Sequence, residues 1–176
     1  MITVSKCRAL IDSGAGSSYA SAKFIHLLNI KTSETRTARV DMLLDSKVSR
    51  LEIYNAKLED VDSDYSLEVK LTKVHKNELL FVDNPGYDQL IRKYPHLKNV
   101  RMNDAEINPK LPVHLVLGSG EYARIKTDQR PLMGAEGQPV AELTKLGWFI
   151  MSPGTELDKT TMLMTQTSYS DYDELC

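Results

Sequence analysis

A chain of 176 residues with 22 basic and 24 acidic side chains and a formal net charge of -2 has the length of one domain. It has no excess charge to steer it to nucleic acid or a membrane surface. Its two cysteines, Cys7 and Cys176, cannot build a disulfide framework or a zinc knuckle and are expected as plain thiols. No stretch approaches the ~18 consecutive apolar residues of a membrane span, and the opening MITVSKCRAL lacks the basic flank and long apolar core of a signal peptide. The expectation is a soluble protein of a reducing compartment. Because it starts almost inside its first strand and stops abruptly at SYSDYDELC, the chain reads as a piece of a longer polypeptide.

The first element is the apolar run at residues 9–11, which ends on Asp12 and is followed by the small residues Ser13, Gly14, Ala15 and Gly16. Residues 21–30, SAKFIHLLNI, predict about two turns of helix with Ser21 as N-cap, Phe24, Ile25 and Leu28 on one face, and Asn29 as stop. In residues 37–44 Ala38, Val40, Met42 and Leu44 alternate with Thr37, Arg39 and Asp41, the pattern of a half-buried strand. Alternation resumes after the turn-forming DSK at Leu51 and Ile53, then slips phase at Asn55 and Ala56. A hairpin with its tip near Asp45 and a bulge in its second strand is expected. SLEVKLTKV, entered through the polar DVDSD, is another strand, with Leu67, Val69 and Leu71 on one face.

GYDQLIRKY predicts a short helix ahead of Pro95, and a connection bearing Pro, Asn and Asp spans residues 95–112. VHLVL is the next strand. PVAELTKLGWFIMSPG then supplies one or two strands around Trp148, the only tryptophan. Trp148 suits a core or a subunit interface equally. Residues 1–154 are read as one all-β domain, with short strands and little helix, closer to a barrel or sandwich than to an α/β sheet. Residues 155–176 form a polar tail whose last ~15 residues are expected to be flexible. Within it TTMLMTQ is open to two readings, an edge strand or a peptide that the protein itself cleaves.

Two heptapeptides match. RALIDSG (residues 8–14) set over HLVLGSG (residues 114–120) pairs a basic or imidazole residue, three apolar residues, one variable position, then Ser-Gly. The match implies two related halves of which only the first carries an acid, since Asp12 falls opposite Gly118. A carboxylate meant to activate water needs a partly dry place that tunes its pKa, and a path by which a substrate backbone can reach it. Ser13 offers a hydroxyl to fix the turn, and Gly14, Ala15 and Gly16 clear that path. One carboxylate cannot serve as both acid and base, so two must meet.

Asp12-Ser13-Gly14-Ala15 after an apolar strand resembles the active-site signature of aspartic peptidases. A single copy in so short a chain resembles the retropepsin type, in which two identical chains each supply one aspartate. LVLGSGEYARI resembles the apolar-apolar-Gly strand and short helix behind the active site of that family. YPHLKN and GQPVAELTKLGWFIMSPG resemble the protease region of BEL/Pao LTR retrotransposon polyproteins, so that the matched stretches run over residues 7–154.

The resemblance implies a retropepsin-like closed β-barrel with its active site at a homodimer interface, and an aspartic endopeptidase that cleaves extended peptides, its natural substrate being the element's own polyprotein. Asp12 is then catalytic, Ser13, Gly14 and Ala15 support it, and Leu117 and Gly118 lie behind it. The hairpin Leu44, Asp45, Ser46, Lys47 and Val48 becomes a flap over substrate. The implied location is cytoplasmic or within virus-like particles, with no nucleic-acid or membrane partner and neither metal nor cofactor. Three features depart from the family: a flap tip without glycine, Gly16 and Ser17 where acids often follow the motif, and Glu121 where an aspartate is common nearby.

Other readings compete. Asp12 could simply cap a turn after a core strand. DSGAGS has the Asp-Ser-Gly-x-x-Ser spacing of a phosphodegron, although the apolar RALI beside it argues against an exposed, disordered segment. A dinucleotide loop fails because Tyr19 stands at the third glycine position. A calcium loop from Asp60 fails because Tyr65 and Leu71 stand at its sixth and twelfth positions. His26, His75, His96 and His114 lack metal-site spacing, and no Gly-x-Ser-x-Gly elbow is present. The rival function is a retropepsin-like module that has lost turnover and binds peptides or partner proteins.

Overall fold

A computed structural model describes residues 4–42, 44–62, 64–152 and 165–168 of the chain. The apolar run before Asp12 forms β1 (Ala9–Ile11). After the small-residue turn, β2 (Ser18–Ser21) runs straight into α1 (Ala22–Leu28). Ser21 Oγ accepts the Phe24 amide at 3.2 Å, and Asn29 ends the helix in the left-handed conformation at φ 51°. Both caps are those expected from the residue types, since a hydroxyl satisfies an orphan amide and asparagine tolerates positive φ.

β3 (Glu34–Met42) and β4 (Ser46–Glu59) form the hairpin, with Asp41 opposite Ser46. Its tip is closed by the Met42 amide donating to the Asp45 carbonyl at 2.7 Å. β5 (Ser66–Val74) pairs with the second half of β4 from Ile53 to Glu59 without interruption, so the expected bulge is absent. The phase slip has another cause: Ile53 and Tyr54 are both buried, on opposite faces, where β4 lies between β3 and β5.

β6 (Leu80–Asp83), which the sequence pattern did not show, pairs with β7 (Lys110–Val113) in a separate two-stranded sheet. Between them lie α2 (Tyr87–Lys93) and a single turn of 3-10 helix, Pro95–Leu97. The connection expected over 95–112 is not mere loop, because Leu97 and Val100 are buried in a small second core against Ala141, Trp148 and Ile150. β8 (Leu115–Leu117), α3 (Ser119–Ile125) and the hairpin of β9 (Val140–Thr144) and β10 (Gly147–Met151) follow. Trp148 therefore packs within the chain.

The main sheet has seven strands in the order β1-β8-β2-β5-β4-β3-β11, where β11 (Thr165–Ser168) is the one described part of the tail. The chain is mostly β with few helices. No closed barrel forms among the described residues, contrary to the expectation: β1 and β11 are the two ends of the sheet and do not pair with each other. Among the described residues the three-residue β1 has only β8 as neighbour. The flexibility expected of the tail falls largely on residues outside those described. The main core, which includes Phe24, Leu71, Leu115, Leu117 and Ile125, packs α1 and α3 onto this sheet. None of the described helices is long and apolar enough to cross a membrane.

Candidate active site

β1 and β8 run parallel with Ala9 opposite Leu115, Leu10 opposite Val116 and Ile11 opposite Leu117. The register is the one obtained by laying RALIDSG over HLVLGSG, so the two matching heptapeptides are physical neighbours. One step further along, the Asp12 amide donates to the Leu117 carbonyl at 2.9 Å. Asp12 then turns the chain: its Oδ1 accepts the Gly14 amide at 2.9 Å and its carbonyl accepts the Ala15 amide at 3.1 Å. This is the side-chain-closed turn to which aspartate is suited. Ser13 and Gly14 are exposed, while Ala15 is fully buried.

The second carboxylate oxygen is the anomaly. Asp12 Oδ2 is buried and has no hydrogen-bond partner among the described residues. An unsatisfied buried acceptor costs about 1–3 kcal/mol, so a fold that retains one has another use for it or covers it with a group supplied from outside the chain.

Gly118 explains how the turn is held. A Cβ there would lie 2.6 Å from the Ser17 carbonyl oxygen and 2.9 Å from the Ala15 carbonyl oxygen, so only glycine lets the two turns approach. Close approach is the reason, since Gly118 has φ -78°, open to any residue. The Gly118 amide donates to Ser18 Oγ at 2.9 Å, and Ser18 Oγ donates to Glu121 Oε2 at 2.6 Å. The Ser119 amide donates to the Ala15 carbonyl at 2.9 Å. Leu117, only 2% exposed, anchors the whole arrangement in the core.

Next to the site, Arg8 grips Asp104 with two bonds, Nε to Oδ2 at 2.6 Å and Nη2 to Oδ1 at 2.9 Å, and donates Nη1 to the Pro112 carbonyl at 2.8 Å. That guanidinium holds the Asp104 carboxyl below the usual aspartate range. In the twin position His114 is stacked near Phe24, with Nδ1 2.9 Å from Ser21 Oγ. Burial, helped by the Lys23 charge, lowers its pKa. Burial pushes the Cys7 thiol up to about 11, which makes it inert at neutral pH. No group of three or more His, Cys, Asp or Glu among the described residues is placed to hold a metal ion.

Leu44, Asp45, Ser46, Lys47 and Val48 form an exposed hairpin end, with Leu44 92% exposed. Asp45 Oδ1 accepts the Ser46 amide at 2.7 Å, which stiffens the tip from within where glycine is lacking. Among the described residues no hydrogen bond joins this tip to the Asp12 turn. The structure thus brings Asp12, Ser13, Gly14, Ala15, Leu117 and Gly118 together and leaves the hairpin tip apart from them. Sequence reasoning missed Ser18 altogether and saw Glu121 only as a departure. A buried serine four residues past Gly14 carries no local signal, because its partners lie a hundred residues away. No protein-family model, curated protein or solved structure matches the chain.

Proposed function

We propose that the chain is an aspartic endopeptidase of the retropepsin type, acting as a homodimer in which two Asp12 residues meet across a two-fold axis. The observation that carries this reading is Asp12 Oδ2, a buried acceptor without a partner, on a turn locked from behind by Leu117 and Gly118. A second Asp12 facing it supplies what is missing. At carboxyl separations of about 3 Å two such groups share one proton, because like charges that close cannot both ionise. Symmetry follows from one acid per chain and two per site.

In that arrangement the ionised carboxylate takes a proton from a water held between the pair, and the water oxygen attacks the scissile carbonyl. The protonated partner donates a hydrogen bond to the developing oxyanion, and proton return to the leaving nitrogen completes the cleavage. The Gly14 amide keeps Oδ1 in place throughout. Substrate is an extended peptide, bound through its backbone with alternate side chains in pockets, and the element's own polyprotein is its natural source. The β3–β4 hairpin, by position in the chain, is the flap.

The test is cleavage of a random-peptide library on the acid side of neutral, at about pH 5, across a dilution series of enzyme. Cleavage whose specific activity falls on dilution is the expected result. Activity that only rises toward about pH 9 excludes the coupled pair. The second reading, a peptide-binding module without turnover, draws on the glycine-free hairpin tip and on β11, an extended segment already added to the sheet.

A further inference from the structure

The outer edge of β3 offers nine residues of backbone, and an unpaired edge of that length invites another strand. β11 lies on it, antiparallel, with Thr165 opposite Met42, Gln166 opposite Asp41, Thr167 opposite Val40 and Ser168 opposite Arg39. These are the four β3 residues nearest the hairpin tip. β5 supports β4 only from Ile53 onward, so the end of the hairpin projects past the body of the sheet as a two-stranded ribbon. Such a ribbon is marginal alone and gains stability from a third strand. Among the described residues only β11 supplies one there. The contact covers just four residues, few enough to exchange.

We propose that Thr165–Ser168 is a peptide ligand in cis for the outer edge of the β3–β4 hairpin, one that stiffens the hairpin when docked and frees it when released. The docking rests on the strand pairing alone; its consequence for substrate entry rests on the peptidase reading. With no glycine in the tip and Asp45 bonded to Ser46, the hairpin moves as a unit, so a third strand along its outer arm restrains the whole of it. Edge pairing of this kind is read by the main chain. Release of the segment therefore exposes an edge able to take another extended peptide.

The first test is hydrogen exchange on the full chain carrying Gln166→Pro and Thr167→Pro together. Successive amides point to opposite sides of a strand, so one of the two prolines must remove a donor facing β3. Exchange at residues 39–42 should quicken about tenfold while α1 and β5 keep their protection. Unchanged exchange at 39–42 overturns the proposal.

The second test places cysteines at the opposed positions, Val40→Cys and Thr167→Cys, with Cys176→Ser to remove the competing C-terminal thiol. Oxidation should give a cross-link within one chain, whereas covalent dimers alone, or no cross-link, contradict docking in cis. The oxidised chain should cleave a peptide library more slowly than the reduced chain. Equal rates show that the segment does not govern the hairpin. Should the reduced chain cleave nothing, the peptidase reading fails, and the exchange and cross-linking results still decide the docking.

Discussion

Two turns lie side by side at the ends of β1 and β8, entered from strands paired residue for residue and each continuing into Ser-Gly. At the first the chain has Asp12, with an exposed Ser13 and Gly14 beyond it; at the second it has Gly118, buried under the carbonyls of Ala15 and Ser17. One turn presents a carboxylate and the other gives up its side chain so that the first can rest on it. The division shows why two matching heptapeptides need not play the same part: the turn that carries the carboxylate rests against one that occupies no space.

The largest effect that would sharpen this contrast is at glycine. Gly118→Ala drives a methyl into backbone carbonyls that cannot rotate away, and a loss of about 3 kcal/mol in urea denaturation is expected. Gly120→Ala, two residues further on, meets nothing within 4 Å and should be neutral or gain up to about 1 kcal/mol from helix propensity in α3. Equal losses at both positions would break the comparison.

Smaller effects follow from the bonds that clamp the turns. Ser18→Ala leaves the Gly118 amide and the Glu121 carboxylate without their partner and should cost about 2 kcal/mol by the same measurement. Glu121→Gln keeps an acceptor for the Ser18 hydroxyl and should cost well under that. A similar loss in both variants would assign the clamp to the charge rather than to the hydrogen bond.

The smallest effects separate the residues that head the two strands. Asp104, whose pKa is lowered chiefly by Arg8, contributes stability above the ordinary aspartate value of 3.8 that is lost as pH falls through its lower folded value. His114 is lowered by burial, so the unfolded chain binds its proton first, and stability declines as pH falls below 6.5 toward the folded value. Denaturation midpoints measured through both windows should lose the acid decline in Arg8→Met and the near-neutral decline in His114→Gln. Loss of either decline in the wrong variant contradicts the assignment.

Much of this was legible where the signal is local. The caps Ser21 and Asn29, the hairpin tip at Asp45 and the alternation of β5 are dictated by neighbouring residues. The match of RALIDSG with HLVLGSG is local as well, but that the two segments pair in parallel, in the register of that match, is seen only in the fold. What could not be read is long-range: β6 pairing with β7, β2 lying parallel to β5, and Ser18 reaching Glu121 across the fold. The smooth ladder at Ile53 and Tyr54 was mistaken for a bulge because burial on both faces breaks alternation just as an inserted residue does. The open sheet ends at a three-residue β1, a length no periodicity specifies.

The central claim is that Asp12 is a catalytic carboxylate rather than a turn aspartate, and Asp12→Asn separates the two. Asparagine keeps an oxygen for the Gly14 amide, so the urea midpoint should hold to within about 0.5 kcal/mol, and a change in cleavage reports chemistry alone. With a random-peptide library at about pH 5 and new termini read by mass spectrometry, the parent should cleave and Asp12→Asn should fall by a thousandfold or more, on the order expected for loss of an essential group. Cleavage by Asp12→Asn at the parent's rate, or none by the parent at concentrations where it is dimeric, would contradict the account.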